Sequence, residues 1–292
     1  MSNPEVADGL NRLFDRRSRF ILIGLTGRTG SVCTTTANLL SKEFLELRLP
    51  EPNRVDANAE GRKYRITKDF MAGNWKPFFT ISISNVILSF LLDSDEANLR
   101  GFFNQANLLG QANQLDEFVA SWNPAREAWN KNLPALTDVA ATQDSKESLL
   151  AAWQGPIAEF FKTVRDGLGP ASTKILQLVG DNLRKSGEPF NSSHVPAKFY
   201  ELPDRVSLII EIIRDTQRVK QQPAYVVLDA LRNPFELLYF RERFAAFYVF
   251  AVSTPDEDRE RRLSVRKHYT AKQILDLDEK EYPEKGAPLA VS

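Results

Sequence analysis

The sequence contains one cysteine and two histidines among 292 residues. A single cysteine excludes an intramolecular disulfide and a thiolate-rich zinc site, and two histidines leave little for an imidazole-based metal centre. The 38 basic and 38 acidic side chains give a formal net charge of zero. Balanced charge argues against a protein that coats nucleic acid or binds an anionic membrane over a broad surface.

Long apolar runs are also missing. The longest, at 244–252, falls well short of the ~20 residues that span a bilayer, and residues 1–19 lack the apolar core of a signal peptide. A lone cysteine suits a reducing compartment. We therefore predict a cytoplasmic chain with no membrane partner, and at ~100–200 residues per domain its length allows one large domain or two small ones.

What the sequence does contain begins with a short apolar run, Phe20–Thr26, which predicts a strand buried on both faces of a parallel sheet. A Gly/Ser/Thr-rich stretch and a helical pattern that ends by Pro50 follow, the usual opening of a nucleotide-binding α/β domain. Further runs at 77–83, 224–229 and 247–253 predict more strands, the last two buried. The run at 224–229 ends in a carboxylate.

Residues 93–165 are polar and helical in pattern, and we interpret them as a helical insertion within one domain spanning 1–292. Three of the four tryptophans lie here. They favour packing of the insertion against the main body, with a stacking platform as the rival interpretation. The pairs Asn123–Pro124 and Asn233–Pro234 each predict the start of a helix, and Glu236 would complete a capping box at the second.

The most informative segment is a degenerate phosphate loop between the first strand and its helix. Placed on the pattern Gly-x-x-x-x-Gly-Lys-Ser/Thr, valine replaces the second glycine and cysteine replaces the lysine. The candidate binding residues are Gly27, Arg28, Thr29, Gly30, Ser31, Val32, Cys33, Thr34 and Thr35.

Binding and phosphoryl transfer are separate predictions for this loop. Gly27 and Gly30 allow the backbone angles of an anion nest, and the following helix offers its positive end to a phosphate. A neutral thiol cannot neutralise phosphate charge as the missing lysine would. We expect binding rather than transfer, and a purely structural glycine-rich turn is the alternative. Cys33 has no visible histidine partner, so we predict no catalytic residue in this chain.

The loop, at 24–31, resembles that of deoxynucleotide monophosphate kinases and dephospho-coenzyme A kinase. The C-terminal part resembles the kinase-like N-terminal domain of deoxycytidylate deaminase-related proteins, among them bacterial anti-phage dCTP/dCMP deaminases. Cysteine at the lysine position is a feature of that family, whereas Val32 departs from it. The resemblance runs discontinuously from about 20 to 285. Its most specific part is the pattern Asp-x-x-Arg-Asn-Pro-x-Glu. The segments that carry it are 24–31, 74–78, 178–184, 227–236 and 247–263.

The resemblance implies an α/β, P-loop, nucleoside-monophosphate-kinase-like three-layer fold with a parallel sheet and a helical insertion. It also implies that Thr34 and Asp229 hold Mg²⁺ together with a (deoxy)nucleotide, and that Arg232 contacts a substrate or phosphate. Arg259, Arg262 and Arg266 would close over the phosphates as a lid helix does in nucleotide kinases; a solvated basic face paired with nearby glutamates is the rival interpretation.

Proteins of this family carry a zinc deaminase domain after the kinase-like one. The His-x-Glu and Pro-Cys-x-x-Cys that such zinc chemistry needs are absent from this sequence. We therefore expect this chain to be a fragment of a longer zinc-dependent deaminase, a hydrolase, with zinc bound only in the missing C-terminal domain.

The leading hypothesis is a nucleotide-binding, sensing or regulatory module that serves nucleotide metabolism or antiviral defence. Its partners would be a (deoxy)nucleotide and either its own deaminase domain or another protein, with a homo-oligomer as a further option. The alternatives are an active deoxynucleotide monophosphate kinase and a non-enzymatic assembly module with a vestigial loop.

Overall fold

The computed structural model describes residues 19–50, 59–108, 112–138, 140–168, 170–267 and 269–281. Its centre is a parallel sheet of four strands in the order β2-β3-β1-β4. The strands are β1 (Phe20–Thr26), β2 (Phe79–Ser82), β3 (Ala224–Asp229) and β4 (Phe247–Ala251). The predicted α/β class and the parallel sheet are confirmed.

Most of the described chain is helical. The helices are α1 (Cys33–Leu40), α2 (Ala59–Asn74), α3 (Ile83–Ser89), α4 (Glu96–Gln105), α5 (Ala112–Asn132), α6 (Pro134–Thr137), α7 (Gln143–Gln154), α8 (Pro156–Lys162), α9 (Pro170–Ser186), α10 (Glu201–Val219), α11 (Pro234–Arg243), α12 (Asp256–Lys267) and α13 (Ala271–Glu281). Short 3-10 turns lie at Phe44–Leu47, Phe90–Asp93 and Pro196–Lys198, and a π turn at Thr163–Gly167.

Apolar side chains pack on both faces of the sheet. On one face Leu22 and Val226 join the main core, which includes the apolar face of α10. On the other face Leu25 and Val227 pack with Cys33 and other residues of α1. Successive strand residues point to opposite faces, so continuous apolar runs are the expected pattern for β1 and β3.

Strand β4 corrects one expectation. The apolar run at 247–253 was expected to be buried, but β4 pairs with β1 at the edge of the sheet. Tyr248, Val249 and Phe250 are each at least 43 % exposed. An apolar run predicts a strand but does not tell a central strand from an edge strand, because that depends on where its neighbours lie.

The segment 93–165 is helical, as its pattern predicts, and its tryptophans are structural. Trp122 and Trp129 are fully buried, and their indole N–H groups donate to the Leu91 carbonyl at 2.9 Å and to Asp93 Oδ1 at 2.6 Å. The expected helix start at Asn123–Pro124 is wrong, because Pro124 lies inside α5. The two tryptophans lie two turns apart on the inner side of this continuous helix.

Other boundaries also differ from expectation. The helix after the loop ends at Leu40 and gives way to the 3-10 turn before Pro50. The polar stretch after Pro50 contains helix α2. The Asn233 side chain accepts from the Phe235 N–H and Pro234 opens α11, as predicted. Among the described residues, every helix is too short or too polar to cross a membrane.

Candidate functional site

The loop between β1 and α1 lies at the carboxyl end of the sheet, and Gly30 determines its shape. Gly30 has φ of +87°, a conformation that a side chain strongly disfavours. A Cβ there would lie 2.9 Å from Leu263 Cγ and 3.0 Å from Arg259 Cγ. Glycine is therefore required both by the backbone turn and by the close approach of α12.

Gly27 serves a different purpose from the one that the sequence suggests. A Cβ at Gly27 would meet Ser31 Oγ at 2.4 Å and the Val252 carbonyl oxygen at 2.5 Å. The positive φ values of the described glycines fall at other positions. Gly27 is thus required for close packing of the loop against the chain after β4, rather than for an unusual backbone angle.

Cys33 occupies the lysine position but behaves as an apolar side chain. It is 3 % exposed and packs with Leu25, Ala37 and Val227. Burial raises the pKa of its thiol above the usual value, although a hydrogen bond with Ser31 acts in the other direction. A buried, protonated thiol neither supplies positive charge to a phosphate nor acts as a nucleophile at neutral pH.

The amino end of α1 is open to a ligand. Val32 is the N-cap residue, with φ of −78°, so its branched side chain imposes no strain. It provides no side-chain cap, the first turn contains no acidic residue, and Thr34 and Thr35 are exposed there. Backbone N–H groups at such a helix end favour an anion.

Thr34 and Asp229 come together, as the resemblance implies. Thr34 Oγ1 donates to Asp229 Oδ2 at 2.8 Å across 195 residues of sequence. Asp229 is 3 % exposed at the end of β3, and the next residue, Ala230, has a left-handed φ of +64°. This sharp turn directs the following segment, with Arg232, back toward the loop.

These two side chains fit a magnesium ion in part. Mg²⁺ binds hard oxygen ligands and commonly takes only one or two from protein, the rest from phosphates and water. A hydroxyl and a carboxylate oxygen side by side match that donor set. Among the described residues no cluster of three or more His, Cys, Asp or Glu could hold a metal ion. A metal at this position would therefore take its remaining ligands from water or from the oxygens of a bound phosphate.

Thr29, at the tip of the loop, is held between two arginines. Arg232 Nη1 donates to its hydroxyl at 2.7 Å, and Arg259 Nη1 donates to its carbonyl oxygen at 3.2 Å. Arg259 is only 1 % exposed. The structure thus places two of the predicted binding arginines directly on the loop, one from the segment after β3 and one from α12.

Arg262, a second predicted binding arginine of α12, does not share this position. Arg262 points toward Thr254, with 3.5 Å between Nη1 and Oγ1, and lacks the contact with the loop that Arg259 makes. Arg266 lies in α12, but its side chain lies outside the described residues. A spacing of three or four residues therefore does not mean a shared role here.

Two carboxylates complete the site, and the sequence prediction missed both. Asp256 Oδ1 lies 2.7 Å from Arg28 Nη1. Asp278 of α13 bridges two arginines, with 2.9 Å to Arg28 Nη2 and 2.6 Å to Arg259 Nη2. Partial burial alone would raise the pKa of Asp278, but hydrogen bonds from Arg259 and Arg28 hold it below its usual value. The one available signal is the acidic character of the sequence after Gln273.

Glu236 takes a role away from the loop. The predicted capping box is replaced by an ion pair, with 2.8 Å between Glu236 Oε1 and Arg184 Nε. Glu236 is 4 % exposed. This pair joins α9 to α11 and positions the segment that carries Arg232.

Comparison with known proteins gives a distant likeness. The chain is 29 % identical over 126 residues to a UPF0200 protein from Methanoregula boonei, a match that covers 41 % of this chain and 69 % of that protein. No protein-family model matches the chain, and no solved structure matches it. Because the match covers less than half of this chain, we infer the function from the geometry of the site.

Proposed function

We propose that this chain is a module that binds a (deoxy)nucleotide through its phosphate groups at residues 27–34 and does not transfer a phosphoryl group. The observation that carries this proposal is the arrangement around Thr29. Two guanidinium groups from distant parts of the chain converge on this residue, next to the open amino end of α1.

The chemistry of that arrangement suits a phosphate. Backbone N–H groups at the start of α1 supply hydrogen-bond donors and the positive end of the helix dipole. Arginine adds a planar fork of donors that matches phosphate oxygens. A left-handed glycine at position 30 lets the loop backbone curve around a ligand, as in an anion nest.

Thr34 and Asp229 would hold a magnesium ion that accompanies the nucleotide. Their oxygens already lie within hydrogen-bond distance of each other. Bound there, Mg²⁺ would neutralise part of the charge on the phosphates of a nucleoside di- or triphosphate. The Thr34 hydroxyl would turn from the carboxylate to the ion, and Asp229 would hold it directly or through water.

Cys33 supports binding without transfer. Phosphoryl transfer depends on positive charge placed against the phosphoryl group that is transferred, where it stabilises the negative charge of the transition state. At the position of the usual lysine the chain has a buried thiol whose pKa is raised by burial. The arginines around the loop can hold a phosphate, but none of those described occupies the position of the missing lysine, where Cys33 lies.

The resemblance to deoxycytidylate deaminase-related proteins supports dCTP and dCMP as the first ligands to test. In a protein of that kind, the module would act by population shift: nucleotide binding would favour one state of a neighbouring deaminase domain or of an assembly. Such a role requires a binding site and no catalysis within this chain.

Titration calorimetry with the four dNTPs, dCMP and ATP, each with and without Mg²⁺, tests the proposal. We expect at least one nucleotide to bind the wild type, more tightly with Mg²⁺. Thr34→Ala should lose most of the Mg²⁺ effect because it removes one metal ligand. Asn38→Ala is the control, since Asn38 is an exposed polar residue one turn further along α1, and it should bind like the wild type.

Absence of binding by the folded wild type at millimolar nucleotide rejects the proposal in favour of a structural loop. The kinase alternative has its own assay. Transfer of the γ-phosphate from ATP to deoxynucleoside monophosphates should be undetectable with the wild type. Measurable transfer would show that Cys33 does not prevent catalysis.

A further inference from the structure

The positive charge that the phosphate site needs is already paired with a carboxylate of the same chain. Asp278 places one oxygen 2.9 Å from Arg28 Nη2 and the other 2.6 Å from Arg259 Nη2. Both arginines belong to the site, one through the loop itself and one through its contact with Thr29. Asp278 thus binds two guanidinium groups at once, as an oxyanion of a phosphate does.

The site is close to electrically neutral in this arrangement. Asp256 and Asp278 together balance Arg28 and Arg259. Arg259 is 1 % exposed, so its charge is largely removed from water and depends on its partner. An incoming phosphate would compete with the Asp278 carboxylate for the same donors, and the two anions would repel each other at this distance.

Among the described residues, helix α13 is held over the loop mainly by one small apolar cluster besides these ion pairs. Its apolar residues Ile274 and Leu277 form a small cluster with Leu263 and Tyr269, separate from the main core. The Tyr269 hydroxyl donates to Thr173 Oγ1 at 2.5 Å. Because this cluster is separate from the main core, α13 can leave its place at lower cost than a helix that packs on that core.

We propose that Asp278 is an internal competitor that occupies the place of a nucleotide phosphate, and that ligand binding displaces helix α13 from the loop. This inference rests on the proposed function, and it adds the regulation of the same site. In the unliganded chain α13 lowers the affinity of the loop for anions. In the liganded chain the phosphate takes over Arg28 and Arg259, and α13 is released.

The release gives the module a way to signal. The face of α13 that packs on α12 carries Ile274 and Leu277, which are buried in the unliganded arrangement. Displacement of α13 would expose this apolar face. Nucleotide binding would then change the position of α13, since the ligand phosphate and the Asp278 carboxylate exclude each other.

The test compares Asp278→Asn with Asp276→Asn. Both variants remove one negative charge from α13, but Asp276 lies on its exposed side. Titration calorimetry uses inorganic triphosphate and the nucleotide that binds the wild type best, each with Mg²⁺. We expect Asp278→Asn to bind each about tenfold more tightly, equivalent to ~1.4 kcal/mol, and Asp276→Asn to bind like the wild type.

Hydrogen exchange of the α13 backbone amides supplies a second measurement, made on the wild type and on Asp278→Asn. In the wild type, saturating nucleotide should speed exchange in residues 271–281 and slow it in residues 27–34. In Asp278→Asn, exchange in α13 should be fast before any ligand is added. A carboxylate with only a structural role would not link ligand binding to faster exchange in α13.

The outcomes separate the two proposals. If the wild type binds nucleotide and Asp278→Asn binds it equally or more weakly, Asp278 is not a competitor, but the binding function still holds. The same conclusion follows if nucleotide slows the exchange of the α13 amides. Equal tightening by both variants also overturns the competitor role, because general electrostatics then explains the gain. Failure of all three proteins to bind any of these anions rejects the binding function and, with it, this inference.

Discussion

Gly30→Ala is the substitution for which the structure gives the firmest magnitude. The residue has φ of +87°, and the new Cβ would lie 2.9 Å from Leu263 Cγ and 3.0 Å from Arg259 Cγ. The left-handed backbone costs about 1–2 kcal/mol for a residue with a side chain. The overlap with two side chains adds about 1–3 kcal/mol, because both are packed and Arg259 is buried.

We therefore expect Gly30→Ala to lower the free energy of unfolding by about 2–5 kcal/mol. The assay is urea unfolding followed by circular dichroism. The matched control is Gly101→Ala in helix α4, where an added Cβ meets nothing within 4 Å. That variant should raise the stability by ~0.5–1 kcal/mol, because alanine is favoured over glycine inside a helix.

The two glycine variants thus have opposite expected signs. Equal stability of Gly30→Ala and the wild type would refute the reasoning, because it would mean that the loop and α12 relax at no cost. The same variant should also weaken nucleotide binding, since it moves Arg259 away from Thr29. Tight binding by a destabilised Gly30→Ala protein would show that Arg259 does not contribute to the site.

Two further predictions concern groups that the structure buries. The Cys33 thiol should react with Ellman's reagent only after unfolding, even at pH 9, because burial raises its pKa; rapid reaction of the native protein would contradict the assigned burial. Glu236→Ala should destabilise the fold by about 3 kcal/mol, because it leaves the half-buried Arg184 guanidinium without its partner. Glu242→Ala, at an exposed position of the same helix, is the control. Its free energy of unfolding should lie within ~0.5 kcal/mol of the wild-type value. Equal melting temperatures of the two variants would show that the ion pair does not stabilise the fold.

Local sequence determined the elements of the site. The run Phe20–Thr26, the glycines after it and the helical pattern from Cys33 together specify strand, loop and helix, because each signal acts within a few residues. The apolar run that ends in Asp229 likewise specifies β3. The family resemblance implied that Asp229 lies close to Thr34, and the structure brings the two side chains together at the carboxyl end of the sheet.

The sequence was less informative about boundaries and exposure. Pro124 looked like a helix start, yet it lies within α5, because the helix is fixed by the burial of Trp122 and Trp129. The run at 247–253 looked buried, yet β4 is an edge strand. In both cases the deciding contacts are made by residues far away in the chain, which no local pattern records.

By itself, then, the sequence determined the α/β class and the loop between the strand Phe20–Thr26 and the helix Cys33–Leu40. Only the tertiary structure decided which charges meet there. Arg259 contacts Thr29, whereas Arg262, nearly one turn further along the same helix, points toward Thr254 instead. Asp278 joins the site because α13 folds back on α12, and a long-range ion pair of this kind leaves no trace in residue spacing.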